Sequence, residues 1–394
     1  MKKFSISRIG LLPRIIIAIV LGVLLGEVLP QGVVRCFVTF NSIFGNFLSF
    51  LIPLIIVGLV APAIAGIGRN AGKLLLVTAA IAYGDTVFSG YFSFFTSSWI
   101  FPGLISSETA SQLAQSEGQL DPFFTINIPP VLDVMSALVA AFVVGLGVAK
   151  FHAPTLKALL DEFKDIIAHT IEVALIPILP LYIMGIFMGM TASGQAWHII
   201  NVFIAIIGVI FAMHILLLVA QYCVAGAIAR RNPFKALWTM LPAYFTALGT
   251  SSSAATIPVT LKQTIANDVD EKVAGFTVPL CATIHLSGSA MKITACAVAL
   301  MLIHGMAFDT ALFSGFILML GVMMVAAPGV PGGAIMAALG VLQSILGFNE
   351  AQSALMIALY ITMDSFGTAC NVTGDGAIAL IVNRLALKQK VISP

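Results

Sequence analysis

Eight apolar stretches, each long enough for a helix to cross a bilayer, recur along this 394-residue chain: 11–29, 44–67, 73–101, 128–149, 167–190, 197–229, 273–303 and 350–383. In lipid, every backbone N–H and C=O must find its partner within the protein, which leaves helices and closed barrels as spanning structures. Runs of about 20 apolar residues select helices. The composition agrees: 59% of residues are hydrophobic and 9% charged, against roughly a quarter charged in soluble domains. The expected fold class is an all-α polytopic membrane protein with no soluble domain. The first stretch begins among Lys2, Lys3, Arg8 and Arg14, as a signal peptide would. More spans follow and no clear cleavage site does, so it reads as a first transmembrane helix. The net charge of +2 gives no reason to invoke nucleic acid. Cys36, Cys223, Cys281, Cys296 and Cys370 are scattered without a CxxC. They suggest neither a disulfide framework nor a zinc site and read as small apolar packing residues.

The basic residues order the loops. They gather at the N-terminus, Arg69/Lys73, Lys150/Lys157/Lys164, Arg230/Arg231/Lys235, Lys262/Lys272 and Arg384/Lys388/Lys390. The segment 102–127 has no Lys or Arg and carries Glu108, Glu117 and Asp121, and 191–196 has no charge. The positive-inside rule then places both termini in the cytoplasm with eight full spans. The sixth stretch is longer than a bilayer needs and must tilt or protrude. Trp99, Trp197 and Trp238 all fall near expected span ends, as interfacial residues often do.

Two further stretches do not fit as ordinary spans: 236–260, "ALWTMLPAYFTALGTSSSAATIPVT", and 306–346, "MAFDTALFSGFILMLGVMMVAAPGVPGGAIMAALGVLQSIL". Each is apolar, then interrupted by small residues and Pro, then apolar again. A Gly/Pro-kinked helix would have this composition, but a single crossing at either place would upset the alternation of charge. A re-entrant hairpin preserves it, and non-helical backbone at that depth is tolerated inside protein or along a wet cavity. Each hairpin is followed by a span with a polar break, "TIHLSGS" at 283–289 and "NVTGDG" at 371–376. The first hairpin opens to the cytoplasm and the second to the outside, so the two halves form an inverted repeat. Paired interrupted segments of this kind point to a transporter's midplane site.

The last span carries Asp364, Asn371 and Asp375 in greasy surroundings. On a helix Asp364, Thr368, Asn371 and Asp375 step by 4, 3 and 4 and share one face. A face turned to a cavity makes such groups tolerable, whereas carboxylates in lipid without a partner are costly. A buried polar network that locks helices is the alternative.

"TSSSAATIPVT" (250–260), "FTVPLCATI" (276–284), "PGVPGGAIM" (328–336) and "NVTGD" (371–375) resemble the dicarboxylate/amino acid:cation symporter family, the glutamate transporter homologues. The resemblance covers essentially the whole chain and implies eight transmembrane helices plus two re-entrant hairpins, in a homotrimer within the lipid bilayer. It implies scaffold helices in 1–72 and 128–196, and a mobile transport domain from 73–127 and 197–394, with elevator-like alternating access. By the same resemblance Asp364 pairs with a substrate amino group and Asn371 holds an α-carboxylate, with Thr368 beside them. Asp375 holds a sodium ion with Asn371 and Thr283. Ser252 and Ser253, at a half-helix end with free N–H groups, suit the α-carboxylate, and residues 328–333, Val330 and Gly332 among them, form an outer gate. The family's usual setting implies a bacterial inner membrane.

The departures bear on substrate and coupling. Glutamate and aspartate transporters carry an Arg where this chain has Gly367, and some prokaryotic members carry one where it has Ser251. A guanidinium fork is the natural partner of a second carboxylate, so its loss points to a neutral amino acid. The other possibility is a packing glycine with a cation supplied from elsewhere, which would suit an acidic amino acid or a C4-dicarboxylate. The family's Asn-Met-Asp-Gly-Thr is replaced by His285, Leu286, Ser287, Gly288 and Ser289, and hydroxyl positions of the third span by Ile81 and Ala82. A further sodium site is expected to be missing or replaced. Lys292 in the seventh span and Asp85 in the third are expected to pair and supply the lost charge. His285 is the other candidate, as a proton carrier or as a satisfied core histidine. His214, mid-span, reads as structural. A channel would need a continuous pore, against which opposed gating hairpins argue. An intramembrane enzyme using Ser252 or Ser253 with His285 would leave the repeat and the carboxylates unexplained. The expectation is therefore a cation-coupled symporter, with Na+ as the coupling ion and H+ as its alternative.

Overall fold

The computed structural model describes residues 11–66, 73–105, 120–151, 153–194, 196–327 and 331–390. These residues form helices and no strand. In chain order they are α1 Leu11–Val28, α2 Gln31–Gly66, α3 Lys73–Leu104, α4 Val134–Phe151 and α5 Pro154–Thr170, which runs through a π-helical turn, Ile171–Leu175, into α6 Ile176–Ala192. Then follow α7 Ala196–Ala229, α8 Pro233–Thr239, α9 Leu241–Thr250, α10 Ser253–Ala266, α11 Glu271–Ile284, α12 Ser287–Ile303, α13 Thr310–Ala326, α14 Gly333–Ser344, α15 Glu350–Thr362 and α16 Asp364–Lys390.

Among the described residues, five helical segments are long and apolar enough to cross a membrane: Gln31–Ala65, Leu74–Leu104, Pro154–Ala192, Val202–Ala229 and Glu271–Ile303. A sixth is Glu350–Thr362 with Asp364–Ala386, bent by 63°. The expected spans 11–29 and 128–149 form helices of 18 residues each, about 27 Å at 1.5 Å per residue. Pro129 and Pro130 keep the start of the second of these out of the helix. The Asp133 carboxylate accepts from the Ser136 N–H at 3.0 Å, as N-cap residues do. The helix expected at 44–67 instead begins at Gln31, directly after Pro30.

The two anomalous stretches resolve into pairs of short helices. In the first, α9 and α10 pack on each other and are parted by Ser251, whose backbone is left-handed (φ 51°), and by the extended Ser252. Ser252 caps α10 by accepting from the Ala255 N–H. In the second, α13 and α14 pack on each other across 327–332, where Gly332 has φ 76°. With 10, 14, 17 and 12 residues, none of the four reaches the roughly 30 Å of a bilayer core at 1.5 Å per residue. After each pair comes a broken helix. His285 and Leu286 leave helical geometry between α11 and α12, and Met363 does so between α15 and α16.

Side-chain size sets how the helices approach. α1 packs against α6, and α2 against α4 and α6. A Cβ on Gly26 would lie 2.7 Å from the Met188 carbonyl and from Thr191 Cβ, and one on Gly22 2.6 Å from the Met184 carbonyl. In lipid such close backbone contact supplies packing that the hydrophobic effect cannot. α12 is buried on every side, its Ser287, Ser289 and Lys292 included. Ser89 and Ser93 of α3 donate to its Ser287 and Met291 carbonyls at 2.9 and 2.6 Å. Gly26→Val should push α1 off α6 and destabilise the protein by about 1–3 kcal/mol, read as a lower unfolding temperature in detergent. Gly208→Ala, where nothing lies within 4 Å of the new Cβ, should leave it unchanged or slightly raised. Equal behaviour of the two variants would contradict this packing.

Candidate functional site

The two helix breaks bring backbone ends into the protein interior, and buried polar side chains gather there. At the α15/α16 break, Asp364 opens α16. Its Oδ2 accepts from the Gly332 N–H at 2.8 Å, and its Oδ1 accepts from Lys292 Nζ at 3.1 Å. Lys292 is fully buried. Its ammonium also donates to the Met363 carbonyl at 3.3 Å and stands 3.5 Å from the centre of the Tyr360 ring, a cation–π arrangement. The glycine at 367 makes room for it: a Cβ there would lie 2.7 Å from Lys292 Nζ and 2.9 Å from Cε.

The expected pairing of Lys292 with Asp85 is therefore corrected. The physical reason is helical phase. Ser287, at the start of α12, reaches Asp85 through Gln221, which donates to both at 3.0 and 2.6 Å. Lys292 lies five residues further on, turned by about 140° around the helix at roughly 100° per residue, and so faces the α15/α16 break.

Asp85 is paired instead with His285. Nε2 of the fully buried imidazole lies 2.7 Å from Asp85 Oδ2, and Nδ1 lies 2.8 Å from Asp375 Oδ1. A doubly protonated ring donates to both carboxylates; a neutral ring donates to both only in turn. Asp375 Oδ2, Gln221 Oε1 and Thr373 Oγ1 are buried without a hydrogen-bond partner. Asp85, Gln221 and Gly374 border a cavity of about 370 Å³ whose other walls are apolar, Ile81 among them.

Asn371 lies between the two clusters. Its Oδ1 accepts from the Gly288 and Ser289 N–H groups at 2.8 and 3.3 Å, and its Nδ2 donates to Ser289 Oγ at 3.1 Å. Tyr360 donates to the same Oγ at 3.0 Å. The side chain thus satisfies donors at the start of α12 that an N-cap would otherwise meet. Thr368 donates to the Asp364 carbonyl within its own helix at 2.9 Å. Thr283 is exposed and donates to the Leu280 carbonyl of its own helix at 2.7 Å. The structure thus brings Asn371 and Asp375 onto one helix with different partners and does not bring Thr283 to them.

A second cavity, about 360 Å³, lies where the two helix pairs meet α16. Leu11, Thr250, Ser251, Pro331, Asp364 and Ser365 are among its walls. Ser251 and Ser365 hydroxyls meet across it at 2.6 Å. Among the described lining residues none is Lys or Arg. Ser252 and the buried Ser253 start α10 just behind this wall. Val330 lies outside the described residues. The sequence did not single out Ser365, Gln221 or Tyr360. Gln221, a polar side chain inside the apolar run of α7, is a signal of the kind that could have found one of them. His214, buried, has Nε2 3.3 Å from the Gly288 carbonyl.

Comparison with known proteins places the chain in a family. The model of the sodium:dicarboxylate symporter family matches residues 11–385. A serine/threonine transporter, SstT, of Streptococcus suis is 27% identical over 337 residues, 83% of this chain and 92% of that one. The SstT of Enterococcus faecalis is 24% identical over 94% of this chain and 90% of its own. The mouse excitatory amino acid transporter 3 is 26% identical over 72% of this chain and 55% of its own. With a family match over nearly its full length, the chain belongs to the sodium:dicarboxylate symporter family and is a multi-pass membrane transporter.

Proposed function

We propose that the protein is a cation-coupled symporter of a neutral amino acid. The observation that carries this reading is the balanced charge at the cavity. Asp364 is matched by Lys292, which reaches it at 3.1 Å from outside the lining, and no Lys or Arg is among the described lining residues. A zwitterion leaves that sum at zero. A dianion would leave uncompensated charge at membrane depth, which is costly. The two bacterial relatives named as serine/threonine transporters favour the same class. In this reading Asp364 takes the amino group, and Ser252, Ser253 and the start of α10 take the α-carboxylate. Thr368 and Asn371 support them, and the 328–333 segment, with Val330 and Gly332, serves as a gate. The coupling ion is Na+ near Asp375, with fewer sites than the fullest family members because His285 already occupies Asp375 Oδ1. H+ is the alternative.

The scaffold is read as 1–72 and 128–196, and the moving part as 73–127 and 197–394. This division is supported by the way α1, α2, α4, α5 and α6 pack among themselves, and α3 packs with α12 and α13. We place the protein as a homotrimer in a bacterial inner membrane with both termini in the cytoplasm, carrying its substrate by elevator-like movement. A second reading has its own support: Lys292 fills the space left by Gly367 and is a cation supplied from another helix, which would suit aspartate or a C4-dicarboxylate.

Proteoliposomes with an inward sodium gradient, offered radiolabelled serine, alanine, leucine, aspartate and succinate with and without sodium, decide between the two. Sodium-dependent uptake of a neutral amino acid without aspartate uptake is expected; uptake of aspartate or succinate would overturn the substrate class. The His285 bridge makes a separate prediction about stability. His285→Leu leaves two carboxylates without their shared donor, and should cost about 3–5 kcal/mol, measured as a lowered unfolding temperature in detergent. Adding Asp85→Asn should recover part of it. An unaltered midpoint in His285→Leu would contradict the bridge.

A further inference from the structure

Lys292 has a feature that family membership and substrate class leave unexplained. A transporter that binds an amino group with a carboxylate has no use for a second ammonium on that carboxylate while the substrate is bound. Yet Lys292 Nζ reaches Asp364 Oδ1 at 3.1 Å, with both side chains buried. Its helix, α12, packs on α15 and α16, so the two charges sit on neighbouring elements of one packed group.

The surroundings give this ammonium more than one place to rest. Besides Asp364, it has the Met363 carbonyl at 3.3 Å and the Tyr360 ring centre at 3.5 Å. If Asp364 turned to another cation, Lys292 would keep a carbonyl and an aromatic face, which can hold a desolvated ammonium. Gly367 offers no side chain to restrict it. Asp364, in turn, is the one charged group among the described residues that line the cavity, where an incoming ligand can reach it. Its other oxygen accepts from the Gly332 N–H, which ties the tip of the second helix pair to a carboxylate that already has its counter-charge.

The electrostatic consequence follows from membrane depth. A lone carboxylate is expensive to carry through a bilayer. With an amino acid bound, its ammonium can pair with Asp364 while its carboxylate lies at the start of α10; without one, some other cation must take that place. We infer that Lys292 is a resident stand-in for the substrate's amino group: it neutralises Asp364 when no substrate is bound and yields it to the ammonium of an incoming amino acid, so that the unloaded carrier can return across the membrane by itself. This inference rests on the amino-acid reading above. It makes Lys292 a positioning and charge-balancing residue, and it makes the protein a net accumulator and not an obligate exchanger.

The test compares two modes in proteoliposomes. One is net uptake of labelled serine or alanine into vesicles without internal substrate. The other is exchange of the same label against unlabelled amino acid inside. Wild type should run net uptake at a rate within about threefold of exchange. In Lys292→Gln the ratio of net uptake to exchange should fall by about tenfold or more. Its half-saturation concentration should fall as well, because the internal competitor for Asp364 has gone. Lys292→Arg, which keeps the charge, should keep more of the ratio than Lys292→Gln. The inference is overturned if folded Lys292→Gln loses both modes in equal proportion or keeps the wild-type ratio. Strict exchange by wild type overturns it without any variant, which covers the case in which Lys292→Gln fails to fold. Failure of the substrate reading appears elsewhere, in wild type that takes up aspartate or succinate and neither serine nor alanine; if only succinate is taken up, no substrate ammonium competes for Asp364 and the stand-in role falls too.

Discussion

A carboxylate in the middle of a bilayer needs a cation or a ring of donors, and this chain buries Asp364 and Asp375 and half-buries Asp85. Much of the interior arrangement answers to that need. Lys292 serves Asp364, while His285 serves Asp375 and Asp85 together, with Gln221 in support. Replacing such pairs by apolar residues is often harmless to stability, whereas removing one partner is not. Their presence here therefore speaks for use more than for strength, as intramembrane charges generally do.

The pairs are reachable only because helices break. A continuous α11–α12 would bury the backbone at His285 and Leu286 in its own hydrogen bonds, and a straight α15–α16 would turn Asp364 away from the second helix pair. Instead the start of α12 offers N–H groups to Asn371, and the start of α16 offers a carboxylate to Lys292 and Gly332. The same device appears at Ser251–Ser252 and at Gly332, where short helices end inside the protein. Irregular backbone at this depth is stable where protein or a cavity surrounds it, and the 360 Å³ cavity lies against Ser251, Pro331 and Asp364.

The coarse plan was legible in the sequence because hydropathy is a one-dimensional property. The apolar runs, the interruptions in 236–260 and 306–346, and the shared face of Asp364, Thr368, Asn371 and Asp375 all follow from residue order and helical pitch. Pairing was not legible, because a broken helix resets phase: counting within α12 gives the angle of about 140° between Ser287 and Lys292, but not which neighbouring element each of them faces. Asn371 was read for its chemistry towards a ligand and is engaged in satisfying α12. Thr283 was carried over from a motif, yet its hydroxyl bonds back into its own helix. The start of α2 at Gln31 was missed because Gln31, Arg35 and Asn41 dilute the apolar signal without stopping the helix.

The contact between Gly367 and Lys292 also constrains descent. With Lys292 in place, any side chain at 367 would enter the space its ammonium fills. A lineage passing from this arrangement to a side chain at 367 would first have to move that ammonium aside. The lysine would have to leave, or the glycine appear, before a cation could settle on the opposite helix. Relatives that carry a bulky residue at the position of Gly367 are then expected to have something smaller or neutral at that of Lys292. The two sites, 75 residues apart in the chain, would change hands together.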